Sequence, residues 1–242
     1  MKKNYTIVFI AVAVLIVLCA FWGCSSSDDD DDGPSLPNAE DGFLGNGTLS
    51  IEPEPQVYSK TDGITPYTFT GPGTKSVRTR DDDMSLGSNY ALGNNYQNAV
   101  AAISSIDEHG KLTLKLPAVT SWEDFNNGDI SGVGITVNPP DVKVGELKRF
   151  FVSDTPEDLV LSYSYENING ESLVHYVYAN QDASVSGVKT WTNSGDGNEY
   201  PLYMNLTLKQ GWNSVLWIPF SNPEHWEVKT GLPGAGYKWV VQ

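Results

Sequence analysis

The sequence predicts an all-β protein with the architecture of an antiparallel β-sandwich. Three features of the chain after Phe43 support this prediction. Apolar and polar residues alternate with a period of two, the alternating runs are separated by Gly, Asn and Pro, and helical periodicity is scarce. Strands at short intervals, without long helices between them, are typical of antiparallel sandwiches.

The segment KLTLKLP gives the simplest of these strands. It places Leu112, Leu114 and Leu116 on one face and polar side chains on the other. This is the pattern of a strand with one buried and one solvated face. The preceding AVAAISSI, with a short helical turn near its start, is predicted to pair with it through a turn at Asp107 to Gly110.

Two longer segments repeat this design farther along the chain. LVLSYSYENINGESLVHYVYA contains two β-rich runs around Asn169 and Gly170, residues that tolerate the positive φ values of a tight hairpin turn. LYMNLTLKQGWNSVLWIPF contains an alternating strand, a turn near Gln210 and Gly211, and a second strand that starts near Trp212. We expect Trp212 to pack at that strand start, and GYKWVV to form the last strand.

The segment NPPDVK, from Asn138 to Lys143, is the best candidate for an internal boundary. It divides the sandwich into an N-terminal β subdomain, residues 43–138, and a C-terminal one, residues 144–242. The alternative is a loop within a single sandwich. The prediction is therefore one or two β-sandwich domains of the immunoglobulin-like or transthyretin-like type.

The N-terminus carries a different signal. Lys2 and Lys3 precede the uncharged run IVFIAVAVLIVLCAFWG, and FWGC, ending at Cys24, resembles the lipobox of bacterial lipoproteins. The resemblance implies a signal peptide, residues 1–23, cleaved after Gly23, and Cys24 carrying the acyl chains. At about 0.8 kcal/mol per buried methylene, two or three chains on one residue anchor firmly. The alternative is an uncleaved membrane helix.

Residues 24–42 hold the acidic segment SSSDDDDDGPSLPNAED, which cannot bury an apolar face and is predicted to be a disordered tether. Serines and acids after a lipidated cysteine resemble the surface-export signal of lipoproteins in Bacteroidetes-type bacteria. This resemblance implies a location on the outer membrane, exposed at the cell surface. A solubilising spacer on a lipoprotein that faces the periplasm is the alternative.

The charge balance limits the partners. The chain has 30 acidic and 15 basic residues, a formal net charge of -15, which disfavours nucleic acid because its binding requires clustered Lys and Arg. The expected partners are the membrane, through the lipid anchor, and a protein or glycan ligand. Both cysteines, Cys19 and Cys24, lie at the N-terminal segment, so no disulfide is available in the body of the protein.

No catalytic residue, metal site or cofactor is predicted, and the protein is not expected to be an enzyme. The chain lacks the HExxH and GxSxG motifs. His109, His175 and His225 have no metal-ligand spacing, and we expect each to face solvent or to bond locally. The acidic loops at residues 79–85, 127–132 and 194–200 offer oxygen ligands but not the spacing of a calcium loop.

Tryptophan offers a more specific hypothesis. Trp122 stands beside Glu123 and Asp124, and Trp191 stands near Asn193, in segments that read as polar loops. Exposed rings beside carboxylates and amides are suited to stacking on sugars, so these two residues are the candidate glycan contacts. For most other tryptophans, packing in the core is the expected role.

The block from Tyr176 to the C-terminus, which includes LTLKQGWNSV and YKWVV, resembles a segment of uncharacterised lipoproteins of Bacteroidetes-type and spirochaete bacteria. The resemblance implies an all-β fold and an extracytoplasmic location, without an activity. The function expected is a non-catalytic binding or structural role at the cell surface, as an adhesin-like or assembly module. The alternative is a glycan-binding accessory lipoprotein.

Overall fold

Strands dominate the computed structural model, which describes residues 42–51, 55–60, 65–69, 73–79, 99–119, 134–147, 149–153, 155, 159–192, 197–221 and 224–242. The strands are β1 (Phe43–Gly45), β2 (Leu49–Ile51), β3 (Val57–Ser59), β4 (Lys75–Arg78), β5 (Ser105–Ile106), β6 (Leu112–Leu116), β7 (Ile135–Asn138), β8 (Val144–Leu147), β9 (Phe150–Val152), β10 (Leu159–Asn167), β11 (Gly170–Ala179), β12 (Ala183–Thr192), β13 (Glu199–Leu208), β14 (Gly211–Ser221), β15 (Glu224–Thr230) and β16 (Lys238–Val241). A helical turn covers residues 99–103. The all-β prediction is confirmed.

The described strands form one mixed, sandwich-like sheet system. Its main path runs β2-β6-β5-β4-β9-β10-β11-β14-β15-β13-β12-β7. Strand β1 pairs with β14, β8 with β11, and β16 with both β10 and β3. Most neighbours are antiparallel, as predicted, but β13 pairs with β15 and β16 pairs with β3 in parallel.

Two hydrophobic cores lie on opposite faces of the central strands β11 and β14. Because successive side chains of a strand point to opposite faces, Val174 and Tyr176 of β11 enter one core while Val177 enters the other. Trp212 and Val215 of β14 divide between the cores in the same way. Burial on both faces explains why LVHYVYA is almost continuously apolar.

The predicted hairpins are present with small shifts. Ser105–Ile106 pairs with β6 after the helical turn, and the side chain of Asp107 accepts hydrogen bonds from the backbone N–H groups of His109 and Lys111, each at 2.8 Å. Strands β10 and β11 form the second hairpin. Its two turn residues are Ile168 and Asn169, one position earlier than predicted, and Gly170 has a φ of 121°.

The predicted alternation in LYMNLTL is confirmed, but its pairing differs from a hairpin. Leu202, Met204, Leu206 and Leu208 are buried, and the residues between them are exposed. Strand β13 does not pair with β14 across the turn that joins them, because β15 lies between the two, antiparallel to β14 and parallel to β13.

The GWN segment forms the point where β13 and β14 separate. Asn213 Nδ2 donates to the carbonyl oxygens of Lys209 and Gly211 at 2.8 and 2.9 Å, and Asn213 Oδ1 accepts from the Lys209 N–H at 2.9 Å. Trp212 is fully buried at the strand start, as predicted. Gly211 has a φ of 115°, and a Cβ there would lie 2.7 Å from the carbonyl oxygen of Gly45.

The carboxylate of Asp182 also accepts hydrogen bonds from this turn. The Gln210 backbone N–H donates to Asp182 Oδ1 at 2.8 Å, and Lys209 Nζ lies 3.1 Å from Asp182 Oδ2. These two bonds lower the pKa of the Asp182 carboxyl. Side chains therefore hold the turn between β13 and β14, two strands that do not pair with each other.

The chain passes through the predicted boundary at NPPDVK within one compact unit, Pro37–Gln242. Strands on either side of it pair: β7 with β12, β4 with β9, and β3 with β16. This pairing agrees with the alternative in which NPPDVK is a loop within a single sandwich. The predicted signal peptide (1–23) and all but the last residue of the tether (24–42) lie outside the described residues. Within the described ranges, no helix is long and apolar enough to cross a membrane.

Candidate functional site: the open face of the sheet

Beyond the region that the N-terminal strands cover, the sheet exposes a surface built from β12, β13, β15 and the end of β14. We call this surface the open face. Its residues are Val188, Tyr203, Asn205, Phe220, His225 and Glu227. They share one side because Val188 lies opposite Tyr203, Tyr203 opposite Glu227, and Phe220 opposite His225 in the pairing register.

Three rings of the open face contact one another in a row. The ring of His225 is stacked on Phe220, with centroids 4.6 Å apart and an interplanar angle of 1°. Tyr203 meets His225 edge to face, with centroids 5.2 Å apart. Tyr203 is 45% exposed. The alternation of β13 explains this exposure, because the neighbours of Tyr203, Leu202 and Met204, fill the core on the opposite side.

Charged and amide groups surround the rings. His225 Nε2 lies 3.9 Å from Glu227 Oε1, and Lys229 Nζ lies 3.8 Å from Glu227 Oε2. Asn205 is exposed one repeat along β13 from Tyr203 and opposite Lys229. Paired positions of β13 and β15 thus present an aromatic ring, a carboxylate, an ammonium group and an amide close together.

This combination has a definite chemistry. An exposed aromatic ring provides an apolar plane, and a fixed ring costs little conformational entropy on binding. Carboxylate and amide groups accept and donate hydrogen bonds in directions set by the rigid sheet. Such a surface suits a ligand with an apolar face and hydroxyl groups at its edge.

The structure also contains a buried acid and base pair. Nδ1 of His175 on β11 lies 2.6 Å from Oε1 of Glu146 on β8. The side chains are 3% and 5% exposed, and the His175 ring lies 5.2 Å from that of Trp217. The expectation that His175 faces solvent or bonds locally is wrong, because its partner lies 29 residues away. Because both side chains are almost completely buried, the pair has almost no exposed surface to offer a substrate.

The other histidines follow the expectation more closely. His109 is exposed on its turn, with Nε2 3.7 Å from Glu108 Oε1. His225 is mostly buried, in the ring row described above. Among the described residues, no group of three or more His, Cys, Asp or Glu side chains could hold a metal ion. Most of the three acidic loops lies outside the described ranges.

The residues singled out from the sequence are placed as follows. Cys24 and Trp122 lie outside the described residues. Trp191 belongs to β12, where its backbone pairs with Tyr200, so its expected position in a loop is wrong. Tyr203 was not among the predicted contacts. Its position on the polar side of LYMNLTL was the available sequence signal.

Comparison with known proteins adds no assignment: no protein family, no curated protein and no solved structure matches this chain.

Proposed function

We propose that this protein is a membrane-anchored extracytoplasmic lipoprotein with a non-catalytic binding role at the cell surface. In this proposal Cys24 carries the lipid anchor in the outer membrane, and the acidic segment after it holds an immunoglobulin-like or transthyretin-like sandwich away from the membrane. The lipobox-like FWGC and the acidic run SSSDDDDD support the location.

The ligand that fits the open face best is a glycan. The observation that carries this step is the exposed ring of Tyr203, placed on a rigid strand beside His225 and Glu227. A pyranose ring presents C–H groups on one face and hydroxyl groups at its edge, which match an aromatic plane bordered by hydrogen-bonding side chains. The charged rim disfavours an apolar protein partner, whose interface core is depleted in charge.

An assembly module is the second candidate, supported by the edge of β12. Strand β12 continues to Thr192, whereas its pairing with β7 ends at Gly187. Among the described strands, none adds a ladder on that side beyond Gly187. An unpaired strand edge can accept a strand from another chain. Under this alternative, substitutions on the open face leave binding unchanged.

The anchor is tested by replacing Cys24. Cys24→Ala is expected to abolish incorporation of a clickable fatty acid during growth, because the thioether cannot form. Cys19→Ala is the matched control, since it removes the other cysteine of the apolar run and should be labelled normally. Normal labelling of Cys24→Ala would refute the lipoprotein assignment. Protease treatment of intact cells then distinguishes the outer from the inner face.

The contact surface is tested by replacing Tyr203. On a glycan array, Tyr203→Ala is expected to weaken binding about fivefold or more, because truncating a central aromatic contact costs more than about 1 kcal/mol. Tyr165→Ala is the control, since Tyr165 is a similarly exposed tyrosine, 41%, on β10. Trp122→Ala and Trp191→Ala test the sites predicted from the sequence.

Three results would count against the open face. The first is a wild-type protein that binds no glycan. In the second, Tyr203→Ala binds as tightly as the wild type. In the third, only the Trp122 or Trp191 variant loses binding, which would move the contact to the sequence-predicted sites.

A further inference from the structure

A cavity of about 270 Å³ lies between the sheet and the N-terminal strands, apart from the open face. Its floor includes Tyr163 of β10, Tyr176 of β11 and Ser214 of β14, which are all buried. Its walls are apolar and come from β1, β2 and the segment that follows β15. The wall residues are Leu44, Leu49, Ile51, Leu232 and Pro233, and Ser50 completes the lining.

The floor of the cavity is rigid and aromatic. The ring of Trp239 is close to parallel with both tyrosine rings, with its centroid 5.1 Å from that of Tyr163 and 6.5 Å from that of Tyr176, at interplanar angles of 7° and 20°. Both tyrosines that line the cavity therefore contact the buried ring of Trp239. Phe150 packs edge to face against both Trp239 and Tyr176, with centroids 5.5 and 6.2 Å apart.

One polar group on this floor is unsatisfied. Ser214 is 1% exposed, and its hydroxyl oxygen has no hydrogen-bond partner among the described residues. Ser214 lies opposite Tyr176 in the β11–β14 ladder, so the two side chains point to the same face, where the cavity lies. Buried hydroxyl groups in proteins are normally paired, so an unpaired one at a cavity calls for a partner.

The rim of the cavity gives access from solvent. Leu232 is 36% exposed, and Leu44 and Leu49 are half-buried. The described lining residues carry no formal charge, which disfavours an ionic ligand because its desolvation would not be repaid. A cavity of about 150 Å³ holds benzene, so a volume of about 270 Å³ accommodates one substituted ring.

We infer that this cavity is a binding site for a small, uncharged, one-ring compound that carries a hydroxyl group. The ring packs against Tyr163, Tyr176 and the leucines of the walls, and the hydroxyl group pairs with Ser214. The site is independent of the glycan proposal, because it shares no residue with the open face.

The test uses ¹⁹F nuclear magnetic resonance of 4-fluorophenol and 4-fluorotoluene, added to the full chain in phospholipid nanodiscs. Empty nanodiscs correct for partition of the probes into lipid. In the wild type, 4-fluorophenol is expected to bind about two- to tenfold more tightly than 4-fluorotoluene, the difference that one neutral hydrogen bond supplies.

Two variants probe the two parts of the site. Leu232→Trp fills the rim and should weaken both probes at least about tenfold, a loss of the size expected when a pocket is blocked. Its control is Ile103→Trp, at an equally exposed apolar residue outside the cavity, which should bind normally. Ser214→Ala should weaken only 4-fluorophenol, and Ser164→Ala, at another buried serine, should weaken neither.

Three outcomes would overturn the inference. They are the absence of saturable binding of both probes, equal binding in Leu232→Trp and the wild type, and unchanged 4-fluorophenol affinity in Ser214→Ala. These outcomes can be distinguished from a failure of the glycan proposal, because Tyr203→Ala should bind both fluorinated probes as the wild type does.

Discussion

Replacing His175 with phenylalanine is expected to lower the free energy of unfolding by about 3–5 kcal/mol, the usual cost of removing one partner from a buried pair. The reason lies in the position of Glu146, whose side chain is 5% exposed and whose Oε1 lies 2.6 Å from His175 Nδ1. Without the imidazole, the carboxyl group remains buried and loses this short hydrogen bond. Urea unfolding followed by tryptophan fluorescence measures the change.

The double variant His175→Phe with Glu146→Met separates the loss of the pair from the loss of packing. Apolar residues of similar volume replace both polar groups, so much of the stability lost in His175→Phe should return. His109→Phe is the matched control, since His109 is exposed on a turn and its replacement should change stability by less than about 0.5 kcal/mol. A His175→Phe protein within about 1 kcal/mol of the wild type would contradict this account.

Local pattern was sufficient to predict several of the strands and their turns. Leu112 to Leu116 and Leu202 to Leu208 alternate as predicted, because each has one face in a core and one in solvent. The hairpin around Asn169 was also predictable, since the residues that reverse the chain are adjacent in sequence. These signals depend on neighbours a few residues apart, which a single sequence contains.

Non-local pairing was not predictable in the same way. The insertion of β15 between β13 and β14 pairs Leu202 with Trp226, 24 positions farther along the chain, so neighbouring residues do not indicate it. The pair of His175 and Glu146 likewise joins residues 29 positions apart on two strands, and no sequence motif marks it. Alternation reports which side of a strand is buried but not what covers it.

The residues of the candidate site could likewise be predicted only in part from the sequence. Trp191 was predicted to be a glycan contact in a loop because its neighbours are polar, but its segment belongs to β12. Tyr203 sits in a strong strand, and aromatic residues in strands are usually core. Its exposure depends on whether another layer covers β13, which alternation alone does not state. Tyr203 and Asn205 lie on the same side of the alternating strand. That pattern would have predicted Tyr203 as an exposed residue.

The second large effect is expected at Asn213, where the GWN segment turns out to be structural. Asn213→Ala should lower the free energy of unfolding by about 3 kcal/mol, because several backbone groups lose their partner and each unsatisfied buried group costs about 1–3 kcal/mol. Besides its bonds to Lys209 and Gly211, Asn213 Nδ2 donates to the carbonyl oxygen of Val177 at 3.3 Å, and Asn213 is fully buried. Urea unfolding gives the difference directly.

Two comparisons make the Asn213 prediction specific to its hydrogen bonds. Asn205→Ala removes an exposed asparagine from β13 and should change stability by less than about 0.5 kcal/mol. Asn213→Asp keeps the acceptor for the Lys209 N–H but places a carboxylate against the carbonyl oxygens of Lys209 and Gly211, so it should destabilise at least as much as alanine. If Asn213→Asp were as stable as the wild type, the donor role of Nδ2 would be wrong. The turn would then be held by the Asp182 bonds, by burial of Trp212 and by the backbone pairing of β14 with β11 and β1.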